Sequence, residues 1–435
     1  MEVVSLVKNE IQEIPDDTSP NCPRLSTLLL FDNEIRHIPE CFFMHMNALT
    51  TLDLSRNDCL TRLPHSLSNL RTLTSLILNG CSKLEYIPPL GELRSLLRLE
   101  ISGCFIQVPP EGLENLINLK WLDMSSNVDL ELVPGSFLPR LTNIQYLDLY
   151  GCSGIKVEDI EGMDFLECFA GAFVDRENLN RYVQQTLNNG HGPHTYSIHY
   201  QDRIHKGHWE KFCYPEPLSK CSRTMCIKDC EELSNALPID IVKLSVQDNS
   251  QWVCLCSALS SNPLSPFELE EIKIQHCTKL KSLFCLSCSL CANIQKLQSL
   301  RLSHLESLTT ICNKDIVNLI QPWFATGMFS QLKDFDISNC HGIKTLMTSS
   351  LASHLQNLES ITVSNCDSME QIFAVTFDDN DSIKIILPKL NFLWVSCLPQ
   401  IKTVSERILV CKYGFRPCIT GCPKLCEPRI EYLPL

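Results

Sequence analysis

Seven times in the first 152 residues, an Asn or a Cys closes the same apolar phrase. These anchors are Asn9, Asn33, Asn57, Cys81, Cys104, Asn127 and Cys152, separated by 24, 24, 24, 23, 23 and 25 residues. Before each lie apolar residues at fixed offsets, as in Leu49, Leu52 and Leu54 before Asn57, or Leu119, Leu122 and Met124 before Asn127. A unit this short cannot bury its own apolar set, so copies must stack and share one continuous core. That excludes most closed folds before any other residue is read.

Written out, the phrase is L-x-x-L-x-L-x-x-N/C-x-L, the leucine-rich-repeat signature. The x-L-x-L core alternates at period two and predicts a short strand with its leucines on one side. The Asn or Cys that follows is expected under the turn, where its side chain satisfies backbone groups of the neighbouring coil. Cys serves there as a small, easily buried substitute with a weak S–H donor. The return runs through an apolar residue and then Pro, at Ile14-Pro15, Ile38-Pro39, Leu63-Pro64, Ile87-Pro88, Val108-Pro109 and Val133-Pro134. Proline suits such a return because it cannot donate to a ladder. The expected fold is an α/β repeat: a leucine-rich-repeat solenoid, curved as a horseshoe, with a parallel sheet on the concave face and irregular or short helical convex returns.

Regular repeats occupy residues 1–152 on this reading. Residues 153–220 break the rhythm as an irregular insert with degenerate repeats. Leu166-Glu167-Cys168-Phe169 and Thr195-Tyr196-Ser197-Ile198-His199 read as two strands there, and Asp175 to Leu187 as a helix capped by Asp175. A hinge, a binding feature and simple divergence are all compatible with that segment. The phrase returns over 221–435 with looser spacing, anchored at Cys230, Asn249, Cys277, Leu305, Cys340, Cys366, Leu398 and Cys422. Its variant is C-x-x-L-x-x-L, and residues 374–388, with an acidic tip at Asp378-Asp379-Asn380-Asp381, read as a loop.

A net charge of −13 without a Lys/Arg cluster argues against nucleic acid as a partner. No run of about 18 apolar residues is present, so no membrane span is expected. The start of the chain does not read as a secretory signal. Eight of the 25 cysteines fill the repeat's anchor slot, and one N-glycosylation sequon is present at Asn380-Asp381-Ser382. Reduced thiols and a cytoplasmic location are the expectation.

With its repeats laid out, the chain resembles the repeat region of plant nucleotide-binding leucine-rich-repeat disease-resistance proteins of the coiled-coil class. The residues that carry this are Val4-Ser5-Leu6-Val7-Lys8-Asn9-Glu10-Ile11 through Ile14-Pro15, Cys22-Pro23-Arg24-Leu25-Ser26-Thr27-Leu28, and Leu52-Asp53-Leu54-Ser55. Late in the chain, Leu387-Pro388-Lys389-Leu390 and Cys397-Leu398-Pro399-Gln400-Ile401-Lys402 look like that family's final repeats. The resemblance implies pathogen-effector sensing and autoinhibition. The family's ATP/ADP switch lies in a preceding NTPase, and no G-x-x-x-x-G-K-[ST] occurs here, so no cofactor is expected. Because the first anchor is already Asn9, the chain reads as a truncated product or a partial gene model.

Chemistry-bearing clusters are few. Cys285, Cys288 and Cys291 form a C-x-x-C-x-x-C run, but Gln295 stands where a ferredoxin-type fourth ligand is needed. Cys411, Cys418, Cys422 and Cys426 form a second series, and His191, His194, His199, His205 and His208 a third. None has the spacing of a known metal site, and no catalytic signature appears, so neither a metal nor an enzyme activity is expected.

Recognition is the positive signal. Residues between the buried leucines point out of the sheet. They include Asp53, Glu100, Asp123 and Asp148 at one level, Trp121 and Tyr146 at another, and Tyr150 two residues beyond Asp148. In the second half Lys273, Arg301, Asp336 and Trp394 hold the corresponding position. Aromatic and acidic groups on a stiff scaffold suit a protein partner with a basic patch; a merely solvated face is the plain alternative. The expected partner is a pathogen effector, a guarded host protein or the NTPase domain of a related receptor. A stand-alone adaptor, selecting substrates for a ubiquitin ligase, is the other reading.

Overall fold

The structure, a computed structural model, describes residues 2–132, 137–152, 154–201, 223–230, 237–255, 269–284, 295–312, 329–352, 354–375 and 384–433. The chain divides into two units, Met1–His199 with Ile204–Ser222, and Tyr200–Arg203 with Arg223–Leu435.

Nine strands begin in unit 1 and follow one another: β1 (Val3–Ser5), β2 (Thr27–Leu29), β3 (Thr51–Asp53), β4 (Ser75–Ile77), β5 (Arg98–Glu100), β6 (Trp121–Asp123), β7 (Tyr146–Asp148), β8 (Cys168–Ala172) and β9 (Thr195–Gln201). Each pairs in parallel with the next, and the register aligns Leu28, Leu52, Leu76, Leu99, Leu122, Leu147, Phe169 and Tyr196 in one row. Every member of that row is at most 3% exposed, so each coil's apolar residue is covered by its neighbours. The two strands expected in the irregular segment are present as β8 and β9. The helix is also present, as α1 (Arg176–Tyr182), with the Asp175 carboxylate accepting from the Asn178 N–H at 2.8 Å. The return side of unit 1 runs through single 3₁₀ turns such as His65–Asn69 and Leu113–Asn115. Ile38, Leu63 and Ile87 point inward from their Pro-containing returns, but Val108 is 71% exposed, and Ile106 fills the inner position of that shortened repeat.

Unit 2 has two kinds of strand. Those of the main sheet are longer: β10 (Thr224–Lys228), β11 (Lys243–Gln247) and β12 (Glu271–Gln275). The return strand β13 (Ser282–Phe284) precedes β14 (Ser299–Ser303), and β15 (Thr310–Cys312) precedes β16 (Asp334–Ser338). Then come β17 (Thr345–Thr348), β18 (Ser360–Ser364), β19 (Gln371–Ala374), β20 (Lys384–Leu387), β21 (Phe392–Ser396), β22 (Thr403–Ser405), β23 (Ile408–Cys411), β24 (Cys418–Thr420) and β25 (Ile430–Tyr432). The main sheet runs β10, β11, β12, β14, β16, β18, β21, β24, all parallel. The returns build small parallel sheets of their own, β13 with β15, β17 with β19 and β22, and β20 with β23 and β25.

The anchors do what their chemistry allows. Asn57 donates to the carbonyls of Leu30 and Leu54 at 3.1 and 2.7 Å and accepts from the Ile35 N–H at 3.2 Å. It thereby stitches two coils together in a site closed to water. Asn33 and Asn127 repeat the pattern. Cys81, Cys104 and Cys152 keep the donor half, offering S–H to Leu54, Leu78 and Met124 carbonyls at 3.2, 3.4 and 3.1 Å. Asn9 departs from expectation: it is exposed and its amide reaches only Val7 in its own turn, because among the described residues no coil covers that side. From Lys8 to Gly421, the residue just before every anchor has a positive φ, between 45° and 82°. This left-handed step turns the chain off the strand and drops the anchor inward.

Candidate interaction site

In unit 1 the register places Arg98, Trp121 and Tyr146 in one row of the open sheet face and Glu100, Asp123 and Asp148 in the next. The Trp121 and Tyr146 rings stack with centroids 3.6 Å apart and planes 5° from parallel. Arg98 adds a third layer, its guanidinium 4.7 Å from the Trp121 ring centre. Its Nε donates to Glu100 at 2.5 Å, and Asn79 also donates to that carboxylate. The outcome is a pre-set stack of one cation and two aromatic rings beside three carboxylates. Arg98 escaped the sequence reading although it shares the offset of Trp121 and Tyr146.

The expectation that this column stands exposed needs correcting at four positions. Glu100, Tyr146, Asp148 and Tyr150 are only 7–8% exposed. Side chains on neighbouring rungs lie at strand spacing, so large ones shield each other. Trp121 covers Tyr146, and the His199 ring packs against Tyr150 at 4.6 Å. The carboxylates are also tied back: Asp53 and Asp123 accept from the N–H groups of Ser55 and Ser125 at 2.9 Å, and Asp148 from that of Tyr150 at 3.0 Å. Trp121, Asp123 and Asp53 remain partly open to solvent.

Burial sets the electrostatics. It raises the Asp123 carboxyl, with the Glu100 charge adding and the Ser125 hydrogen bonds opposing. Burial, then the Asp123 charge, pushes Asp148 up to about 7. Arg98 pairs directly with Glu100, and its charge also acts on Asp123, drawing that carboxyl down against burial. Burial also holds His199 down at about 3, so its ring is neutral.

Unit 2 brings Lys273, Arg301, Asp336 and Trp394 into one row, with Thr362 between the last two. Arg301 lies 3.7 Å from Glu271, which also faces Lys243 at 3.7 Å. The cysteines at 285, 288 and 291, the histidines at 205 and 208 and the sequon at Asn380 lie outside the described residues. No group of three or more metal-binding side chains is assembled among the described residues. No helix there is long and apolar enough to cross a membrane.

Comparison with known proteins adds the following. Residues 1–58 and 23–82 match the leucine-rich-repeat family model, and residues 320–410 match the model described as plant disease resistance protein RPS2-like, leucine-rich repeats. The Arabidopsis thaliana disease resistance protein At4g27190 is 34% identical over 147 residues, which are 34% of this chain and 15% of that protein. Disease resistance protein RPS5 of the same plant is 32% identical over 173 residues, 37% of this chain and 19% of that one. The chain thus spans less than a fifth of these curated relatives. Among solved structures, a Leptospira interrogans leucine-rich-repeat protein is similar over 82% of this chain and 81% of its own, at 15% identity and a TM-score of 0.44. Repeat phrase, stacked parallel strands and family matches agree: the chain is a leucine-rich-repeat solenoid, and its repeats are similar to those of plant disease resistance proteins.

Proposed function

We propose that the open face of unit 1 around Trp121 and Asp123 is a protein-recognition surface, and that the chain serves as the non-catalytic sensing and regulatory part of an intracellular plant immune receptor. The observation that carries this reading is the Arg98–Trp121–Tyr146 stack beside the partly open Asp123 carboxylate. Stacked aromatic groups held rigid lose little entropy on binding, which is why Trp and Tyr dominate interface hot spots. A net charge of −13 favours a partner with a basic patch and speeds its encounter. Such a partner is a pathogen effector, a guarded host protein or the NTPase domain of a related receptor, in the cytoplasm. The test is capture of a related receptor's purified NTPase domain by the full chain. Replacing Trp121 and Asp123 together by Ala should cut capture about tenfold or more, the loss expected of a hot spot, with the melting temperature nearly unchanged. Equal capture by the double variant, or no capture by the native chain, overturns the reading for this partner and this surface.

A further inference from the structure

The open face of unit 2 carries a pattern independent of the recognition surface proposed for unit 1. Three consecutive strands, β16, β18 and β21, pair in register as Asp334↔Ser360↔Phe392 and Asp336↔Thr362↔Trp394. Acid, hydroxyl and aromatic ring are therefore lined up twice, side by side, over roughly 10 Å at ordinary strand spacing. Phe392 and Trp394 are 44% and 37% exposed, high for side chains so large. Their rings lie 6.1 Å apart with planes 24° from parallel, an exposed aromatic pair along β21.

The charge distribution around the aromatic pair narrows the ligand. Every residue of β18, β21 and β24 is uncharged, and Ser364, Ser396 and Thr420 continue the line of hydroxyls. Carboxylates enter only at β16, on one side. The two rings and their hydroxyl neighbours carry no charge, and the two β16 carboxylates disfavour an anionic ligand. An exposed pair of aromatic rings bordered by hydroxyls, with carboxylate acceptors at one end, complements a molecule with C–H groups on its faces and hydroxyls around its rim. Ring faces bury the former, while Ser, Thr and Asp exchange hydrogen bonds with the latter. We propose that this strip is a carbohydrate-binding surface that takes a short neutral oligosaccharide laid across β16, β18 and β21.

The test uses the full chain with cellotetraose, xylotetraose and mannotetraose as probes and tetragalacturonate as the charged comparison, read by saturation-transfer NMR and calorimetry. At least one neutral probe should bind. Trp394→Ala should weaken it about tenfold, Trp394→Phe should restore most of the affinity, and Thr362→Val should weaken it several-fold, as loss of stacking and of one hydrogen bond imply. Trp121→Ala should leave it unchanged, which separates this surface from the one in unit 1. Circular dichroism confirms that each variant is folded. No transfer to any neutral probe, equal binding by Trp394→Ala, or equal binding of tetragalacturonate overturns the proposal. So does a protein ligand that needs Trp394 while all sugars fail.

Discussion

Asn57 joins backbone groups of two coils through one side chain and is closed to water. Replacing it by Ala strands a buried N–H and two carbonyls, and should cost about 2–4 kcal/mol, a few unsatisfied buried groups at about 1–3 kcal/mol each, less what relaxation recovers. Asn57→Cys should cost roughly half as much, since Cys81 shows that a thiol keeps the donor half of the role. Urea denaturation checks both. Asp148 behaves differently. An unfolded Asp titrates near 3.9, whereas the folded carboxyl has risen to about 7. Between those values the folded chain holds a proton that the unfolded chain has released. This contribution is therefore complete below about pH 4 and is lost as pH rises to about 7. Asp148→Asn should raise the urea midpoint near pH 8 and change it little near pH 4. An unchanged midpoint at pH 8 would contradict the assignment. At this scale the anchors were legible because Asn or Cys recurring at one fixed period marks the same buried turn in every coil. The left-handed step before each anchor was not, since Lys8, Arg56 and His304 occupy it as well as Gly80. Nor was the burial of Asp148 and Tyr146, which depends on what the next rung carries.

Between elements, among the glycines of unit 1 the one whose added Cβ would meet backbone most closely lies on the return side. Gly112 has φ +84°, and a Cβ there would stand 2.5 Å from the Gly91 nitrogen. Gly112→Ala must both adopt a left-handed conformation and push two returns apart, for a combined cost of about 2–5 kcal/mol. Gly190, at φ +74° with nothing within 4 Å of its Cβ position, isolates the first effect. Gly190→Ala should cost only about 1–2 kcal/mol. Similar costs for the two variants would show that the returns can slide apart freely. The main strands were readable from period-two leucines, and α1 from its Asp cap. The return strands of unit 2 were not: Ser282–Phe284 is three residues long and all buried, so it shows no alternation.

For the whole molecule, stability is a sum over neighbouring coils. Deleting residues 58–81, one full repeat of 24 between Asn57 and Cys81, should therefore leave a folded chain with a modestly lower melting temperature. Removing half that length should abolish folding, because the apolar rows would lose register. Circular dichroism melts of the two deletions decide it. Fold class was legible at this scale because a period constrains every residue at once. The grouping of site residues was only partly so, since sequence offsets give rows while contacts follow from side-chain size.

The anchors have one more consequence, in reactivity. Burial pushes the thiols of Cys81 and Cys366 up to about 11, and those of Cys104, Cys277 and Cys340 up to about 12. At neutral pH only about one such thiol in ten thousand to a hundred thousand is ionised, and the thiolate is the form that oxidants and electrophiles attack. The anchor thiols are therefore held in an inert state, although Cys397 and Cys426 stand exposed on the surface. The scaffold should hold its shape through an oxidative burst that would crosslink a protein with the same anchor cysteines on its surface.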